Sequence, residues 1–458
     1  MEIYLSNSLT KQKELFKPID PNGIAMYACG PTVYDRPHLG NARSAVVYDV
    51  LFRFLQSVYK RVTYARNITD VDDKIIAACQ SSGSPFKELT ESMINHYHED
   101  MQALNCLSPS EEPRATDYIP QMIEMINTLI DRGHAYVAEG HVLFSVASFN
   151  DYGKLSNRTR DEMIAGSRVE VAPFKRDPAD FVLWKPSLKE EEEFGFNSPW
   201  GRGRPGWHIE CSAMTRSILG ENFDIHGGGA DLMFPHHENE IAQSECSGVH
   251  SQFANYWVHN GFLMVGGEKM SKSLGNFKTV REILDEGIEG CVIRFFYLTT
   301  HYRKPIDFND KAIDDAKKAV SRFRQALEGT ESLVYEPDSE FQGCLADDLN
   351  TPLYIAKMHE YATRYLKEHN KADQIKLANA CTLIGLDLSE QELAVPANAR
   401  ELAEQRQKAR AEKNWQKADE LRTELAALGF EMLDTKDGPK LIKGKRNTSH
   451  HIENLQAR

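Results

Sequence analysis

The chain lacks any long apolar run. No stretch in its 458 residues approaches the roughly 18 consecutive apolar residues of a membrane-spanning helix. No charged-then-apolar leader follows Met1, so secretion is not expected. Cysteine is sparse. Its eight thiols, at positions 29, 79, 106, 211, 246, 291, 344 and 381, lack the dense spacing of a disulfide framework, so reduced thiols in a cytoplasm are expected. No internal repeat is evident. Positive charge is also in deficit: 54 Lys and Arg against 67 Asp and Glu give a net charge of −13, which opposes general affinity for nucleic-acid phosphates. The deficit is uneven. Residues 400 to 458 carry 13 basic and 10 acidic side chains, leaving 41 and 57 for the rest. At 41% hydrophobic the chain has enough apolar residues for ordinary cores, and its length calls for several domains.

Two separated motifs can handle a nucleotide. Ile24 to Cys29 is an apolar run of strand length, Gly30-Pro31 breaks it, and from Leu39 the residues Val46, Val50 and Phe54 recur at helical spacing. A helix is therefore expected to begin at Pro37-His38-Leu39-Gly40-Asn41. Its first turn would offer unpaired amides to an anion, Gly40 would let a nucleotide approach, and His38 could donate to phosphate oxygens. About 230 residues later, Lys269-Met270-Ser271-Lys272-Ser273 lies between Gly266-Gly267 and Gly275. Lysines on such a loop could stabilise charge growing on a phosphate under attack. Taken alone, that loop is equally an exposed charged turn.

Cys29, Cys211 and the stretch His226 to Glu240 suggest a metal site drawn from three parts of the chain. Pro235 suits the first turn of a helix, on which His236 and Glu240 would share a face at i, i+4, while His237 has only Ile241 at that offset. Two thiols, an imidazole and a carboxylate suit zinc. From spacing alone, the cysteines could equally be small buried hydrophobes.

Along the chain, strand and helix signals alternate through about residue 112, as in a parallel nucleotide-binding sheet, with Arg61 to Asn67 as a further strand. Residues 113 to 198 hold a helix near Met122 to Ile130 and short strands such as His141 to Val146, and read as an insertion. Residues 199 to 250 return to the sheet and 251 to 310 carry the lysine loop. From 311 to 395 the character is helical. Residues 396 to 458 suggest two helices joined near Asn414, then a turn at Lys436-Asp437-Gly438-Pro439 and a polar tail. Arg406, Lys408, Arg410, Lys413, Lys417 and Arg422 could face a phosphate backbone, with Trp415 available to stack on a base. A solvated helical hairpin accounts for the same residues.

The paired motifs resemble those of class I aminoacyl-tRNA synthetases, whose "HIGH" sequence is matched with leucine second and asparagine fourth, and whose lysine motif is matched throughout. Tyr27 to Asp35, Pro205 to Cys211 and His226 to Glu240 are similar to the cysteinyl-tRNA synthetase family. The resemblance implies a Rossmann-type α/β catalytic domain with a parallel sheet, split by a connective insertion. A stem-contact region, a helical bundle and a small C-terminal anticodon-binding module would follow. It implies one zinc ion on Cys29, Cys211, His236 and Glu240, with an open position for a substrate thiol. His38, Gly40, Asn41 and Lys272 would bind ATP, with His38, Asn41, Lys269 and Lys272 acting in catalysis and magnesium accompanying the nucleotide. Thr69, Trp207 and Asp231 match positions near bound cysteine. The implied partners are ATP, L-cysteine and tRNA(Cys), with no membrane, and the implied reaction is cysteine activation followed by transfer to tRNA. The insertion shows no second cluster of catalytic residues, so no editing is expected. Two other readings remain: a ligase joining cysteine to an amino-sugar acceptor, against which residues 396 to 458 count, and a non-catalytic tRNA-binding paralogue, which would be expected to have lost motif residues.

Overall fold

The computed structural model describes residues 1–158, 162, 173–188, 194–249, 252–270, 275–330, 335–389, 397–428, 430–435 and 438–443. Two compact units emerge: Met1–Val280 with Cys291–Asp387, and Arg281–Gly290 with Leu388–Arg458.

The first unit opens with the antiparallel pair β1 (Tyr4–Asn7) and β2 (Gln12–Leu15). The apolar run becomes β3 (Gly23–Ala28), followed by helix α1 (Leu39–Val58) and β4 (Arg61–Arg66). β3 is buried on both faces, as a strand in the middle of a parallel sheet must be. Helices α2 (Asp73–Ser82) and α3 (Phe86–Ala103) come next. Helix α4 (Ile119–Asp131) then leads into a four-stranded antiparallel meander of β5 (Ala135–Ala138), β6 (His141–Phe144), β7 (Phe181–Pro186) and β8 (Gly203–Pro205). The last of these strands lies beyond residue 198. Met122, Ile126, Leu129, Val142, Phe144 and Trp184 form a core that continues into the next two helices through Ile209, Ala213 and Ala242.

Those helices are α5 (Trp207–Leu219) and α6 (Glu238–Ser247), which alternate with β9 (Phe223–Gly229) and β10 (Ala254–Asn260). The parallel sheet has the order β10-β9-β3-β4. Its two halves meet where β3 lies beside β9, with Tyr27 opposite His226. Chain direction diverges from that junction, so a crevice opens beyond the carboxyl ends of the two strands. On one face Tyr48 of α1 donates to the carbonyls of Gly228 (3.0 Å) and Val258 (2.7 Å). On the other, Cys211 and Met214 of α5 and Ile241 of α6 pack with Tyr27 and Phe223. The turn after β3 presses on the end of β4: a Cβ on Gly30 would lie 1.6 Å from the Asn67 carbonyl oxygen, so only glycine fits. Helices Asp310–Leu327, Ser339–Ala346, Thr351–Glu368 and Lys371–Leu383 complete the unit.

In the second unit, helices Ala397–Ala411 and Trp415–Ala427 pack together and lead to the antiparallel hairpin Phe430–Thr435 and Gly438–Lys443. The sequence anticipates the helices but not the two strands. Lys436, Asp437 and the polar tail lie outside the described residues.

Candidate functional site

His38 is the N-cap of α1. Its Nδ1 accepts from the amides of Gly40 (3.1 Å) and Asn41 (3.2 Å), while the Asn41 side chain accepts from the His38 amide (3.4 Å), a reciprocal capping box. Leu39 donates its amide to the Lys278 carbonyl (3.0 Å) and Ala42 to that of His38 (3.1 Å). The expectation of vacant first-turn amides is therefore overturned, because the side chain of the motif's own histidine and the chain just beyond the lysine loop occupy them. With Nδ1 acting as acceptor, the neutral ring carries its proton on Nε2, the nitrogen able to donate outward. Gly40 has a reason beyond the one inferred. A Cβ there would lie 3.0 Å from the His38 ring, so glycine leaves room for the capping imidazole.

The segment just after the lysine motif meets the first motif. His38 forms an antiparallel bridge with Thr279, Val280 donates to the Pro37 carbonyl (3.1 Å), and the rings of His38 and Phe277 lie 5.2 Å apart. Met270 lines the same cleft as His38, Gly40 and Asn41, a space of about 330 Å³ that also reaches Cys29, Trp207 and Asp231. The backbone of Lys269 pairs with Met264. Its side chain, and all of Lys272, lie outside the described residues. Arg43, fully buried, ties α1 in place by donating to the carbonyls of Gly261, Phe262, Tyr302 and Lys304 at 2.5–3.2 Å.

At the floor of the crevice the ligand atoms of Cys29, Cys211, His236 and Glu240 all lie within 4.8 Å of one another, and all four residues are buried. Cys29 Sγ is 3.8 Å from Cys211 Sγ and 3.6 Å from Glu240 Oε1, and His236 Nε2 is 3.0 Å from the same Oε1. The helix carrying them starts later than expected. Residues Met233–His237 form a wide turn in which Phe234 is extended, and α6 begins only at Glu238, yet His236 and Glu240 still meet. His236 Nδ1 faces His208 Nδ1 at 2.9 Å, the kind of contact that fixes the orientation of a ligating imidazole.

Electrostatics favour a cation at this place. Burial raises the Cys211 thiol, but the hydrogen bond from Cys29 and the His236 ring reverse this and bring it to about 6. Burial opposes charge on His236, yet Glu240 and Cys211 outweigh it and lift the ring to about 10. Glu240 is held well below the usual carboxylate range because its two histidine neighbours, His226 and His236, outweigh burial. Burial, with the bond to Cys211, pushes Cys29 well above its ordinary value. A buried set of sulfur, sulfur, nitrogen and oxygen donors, one already a thiolate near neutral pH, fits a divalent metal.

Two histidines that spacing passed over also converge here. His226 Nε2 is 2.8 Å from Glu240 Oε2, and His237 Nε2 is 3.3 Å from Cys29 Sγ, giving a second possible ligand set of Cys29, His226, His237 and Glu240. His226 lies fourteen residues from Glu240 in sequence and belongs to a strand, so no helical spacing could reveal it. Trp207 opens α5, stacks on His236 at 4.2 Å, stays 39% exposed and lines the cleft. Asp231 lines the same cleft. Thr69 is buried and does not line that cleft; its hydroxyl donates to Glu210 (2.8 Å) and accepts from Asn67 (3.1 Å). In the second unit Lys408, Lys413, Trp415, Lys417 and Arg422 are exposed, whereas Arg406 is half-buried.

Comparison with known proteins agrees with this geometry. Residues 15–318 match the family model of the tRNA synthetases class I (C) catalytic domain, and residues 394–438 match the cysteinyl-tRNA ligase anticodon binding domain. The chain is 52% identical to a cysteine-tRNA ligase of Methylocella silvestris, covering 96% of this chain and 98% of the relative. It is 50% identical to one of Anaplasma phagocytophilum, with 96% and 98% covered. Among solved structures, Mycobacterium tuberculosis methionyl-tRNA synthetase with methionyl-adenylate shares the fold, with a TM-score of 0.55 and 16% identity over 79% of this chain and 89% of that one. With its catalytic-domain match spanning well over half its length and relatives half identical almost end to end, the chain belongs to the cysteine-tRNA ligase family of class I aminoacyl-tRNA synthetases.

Proposed function

We propose that this protein activates L-cysteine with ATP to cysteinyl-adenylate and transfers the cysteinyl group to the 3′ end of tRNA(Cys). The observation that carries this reading is the juxtaposition, in one crevice, of a thiol-rich metal cluster and the capped HIGH helix that meets the segment after the lysine loop. Cys29, Cys211, His236 and Glu240 would hold one zinc ion. When bound there, zinc supplies a soft Lewis acid that takes a substrate thiol as thiolate and holds a hydroxyl poorly.

The chain's own groups do the rest. Trp207 and Asp231 bound the cysteine pocket, with Thr69 bracing its wall through Glu210. His38, donating through Nε2, and Asn41 meet the ATP phosphates, beside the close approach that Gly40 permits. Attack by the cysteine carboxylate on the α-phosphate releases pyrophosphate with magnesium. Lys272, assisted by Lys269, stabilises the charge that builds up, and no protein nucleophile is needed. The segment 251–310 contacts the acceptor stem, and 396–458 recognises the anticodon. No described helix is long and apolar enough to cross a membrane, and none of the eight cysteines is in a disulfide; a cytoplasmic setting is part of this reading. Cysteine-dependent exchange of pyrophosphate into ATP, followed by charging of purified tRNA, is the direct test. Exchange without charging would favour the amino-sugar ligase.

A further inference from the structure

Adenylate formation depends on holding the reacting groups at a fixed separation. The HIGH helix and the lysine motif are tied together on both sides of that motif. On the exit side the bonds run between backbones, from Leu39 to the Lys278 carbonyl and from Val280 to that of Pro37. On the entry side they pass through the side chain of Arg43, two residues beyond Asn41 on α1. Its Nη1 donates to the carbonyls of Gly261 and Phe262 (both 2.7 Å), and its Nη2 to those of Tyr302 (3.2 Å) and Lys304 (2.5 Å). Gly261 and Phe262 lead into β11 (Leu263–Val265), which pairs with β12 (Glu268–Lys269), where the lysine motif begins. Tyr302 and Lys304 lead into β13 (Ile306–Phe308), which runs parallel to β11. These two strand roots are pressed together: Gly261 donates to the Tyr302 carbonyl (2.8 Å), and a Cβ on Gly261 would lie 2.6 Å from that of Lys304.

Arg43 is fully buried and does not line the nucleotide cleft. Burial lowers its guanidinium to about 10, which leaves it charged at neutral pH. Both terminal nitrogens give all their protons to the four carbonyls, while Nε has no partner. Drawing either strand root away from α1 would strip acceptors from a buried cation, which is costly. Apolar packing alone would hold the helix but would not fix its direction against two strands. We infer that Arg43 is a positioning residue for cysteine activation: its guanidinium sets the register of the HIGH helix against the strands that carry the lysine motif, without touching substrate.

This inference rests on the proposed activation reaction, and one assay separates the two. Wild-type protein lacking cysteine-dependent pyrophosphate exchange would remove the reaction, whereas exchange that survives substitution would remove only the role of Arg43. Arg43→Lys keeps the charge but offers three donors from one nitrogen, too few for four carbonyls. Its kcat for exchange should fall about tenfold or more, while cysteine affinity and bound metal stay within about twofold. Arg43→Ala should be slower still, and millimolar guanidinium should restore part of its exchange where methylammonium does not, because only the planar ion presents paired donors. If Arg43→Ala fails to fold, Arg43→Lys decides alone. Unchanged exchange in Arg43→Lys would overturn the inference. So would a matching fall in cysteine affinity and bound metal, or loss of fold in both variants, either of which would make the arginine structural only. Rescue of folded Arg43→Ala by neither ion, or equally by both, would count against it in the same way.

Discussion

Stripped of metal, Cys211 and His236 face each other near neutral pH as thiolate and imidazolium, while Cys29 keeps its proton and Glu240 is ionised. Metal ligation by all four then has to expel about two protons, one from Cys29 and one from His236. Metal affinity should accordingly rise by up to about a hundredfold per pH unit between pH 7 and 8. Below about 6 the slope should steepen, as Cys211 also takes up a proton. Chelator competition across that range measures it, and a flat profile would exclude this ligand set. Cys211→Ala should lower both bound zinc and cysteine affinity. Full metal content with unchanged cysteine binding in that variant would mean that the second set, with His226 and His237, carries the ion.

At the scale of elements, the start of α1 decides whether the HIGH motif works. Gly40→Ala should push the His38 ring off the helix end, costing about 0.5–2 kcal/mol of stability as lost caps do. Cysteine-dependent pyrophosphate exchange should fall more than cysteine affinity, since in the proposed function the displaced ring would serve the phosphates. An equal loss in both would indicate general damage. Much of this was legible in the chain: the strand before Gly30 and the helix from Leu39 follow from local periodicity, and His236 meets Glu240 as expected, although from a turn that precedes the helix. What periodicity cannot carry is the identity of the partners across space. Nothing local to Arg43 says that it will bind four carbonyls more than 200 residues away. His226 likewise sits in a glycine-rich strand with no ligand spacing of its own, and only the β3–β9 pairing brings it to Glu240. The vacant helix amides were the wrong inference for a related reason, since the partners that fill them include the Lys278 carbonyl, far along the sequence.

Across the whole molecule, the proposed function assigns activation and tRNA selection to different parts of the chain. A chain ending near residue 395 should keep pyrophosphate exchange and lose most charging of tRNA. Unchanged charging would return the exposed lysines and Trp415 to ordinary solvated surface. If the proposed zinc holds the substrate thiol, selectivity against serine should need no proofreading, because rejection would occur at the metal rather than in a second sieve. Serine with tRNA added should therefore cause no excess ATP consumption, and rapid tRNA-dependent turnover would contradict that account.

The candidate metal ligands come together where β3 and β9 run side by side, and the residues paired there are about 200 positions apart in the chain. Closing a loop of that size costs entropy before any contact repays it, and long-range parallel pairing is slow. The cluster is thus a built-in reporter of completed folding. In a refolding experiment with cobalt as the probe ion, its thiolate absorption should appear with the last kinetic phase, after helical signal has already returned.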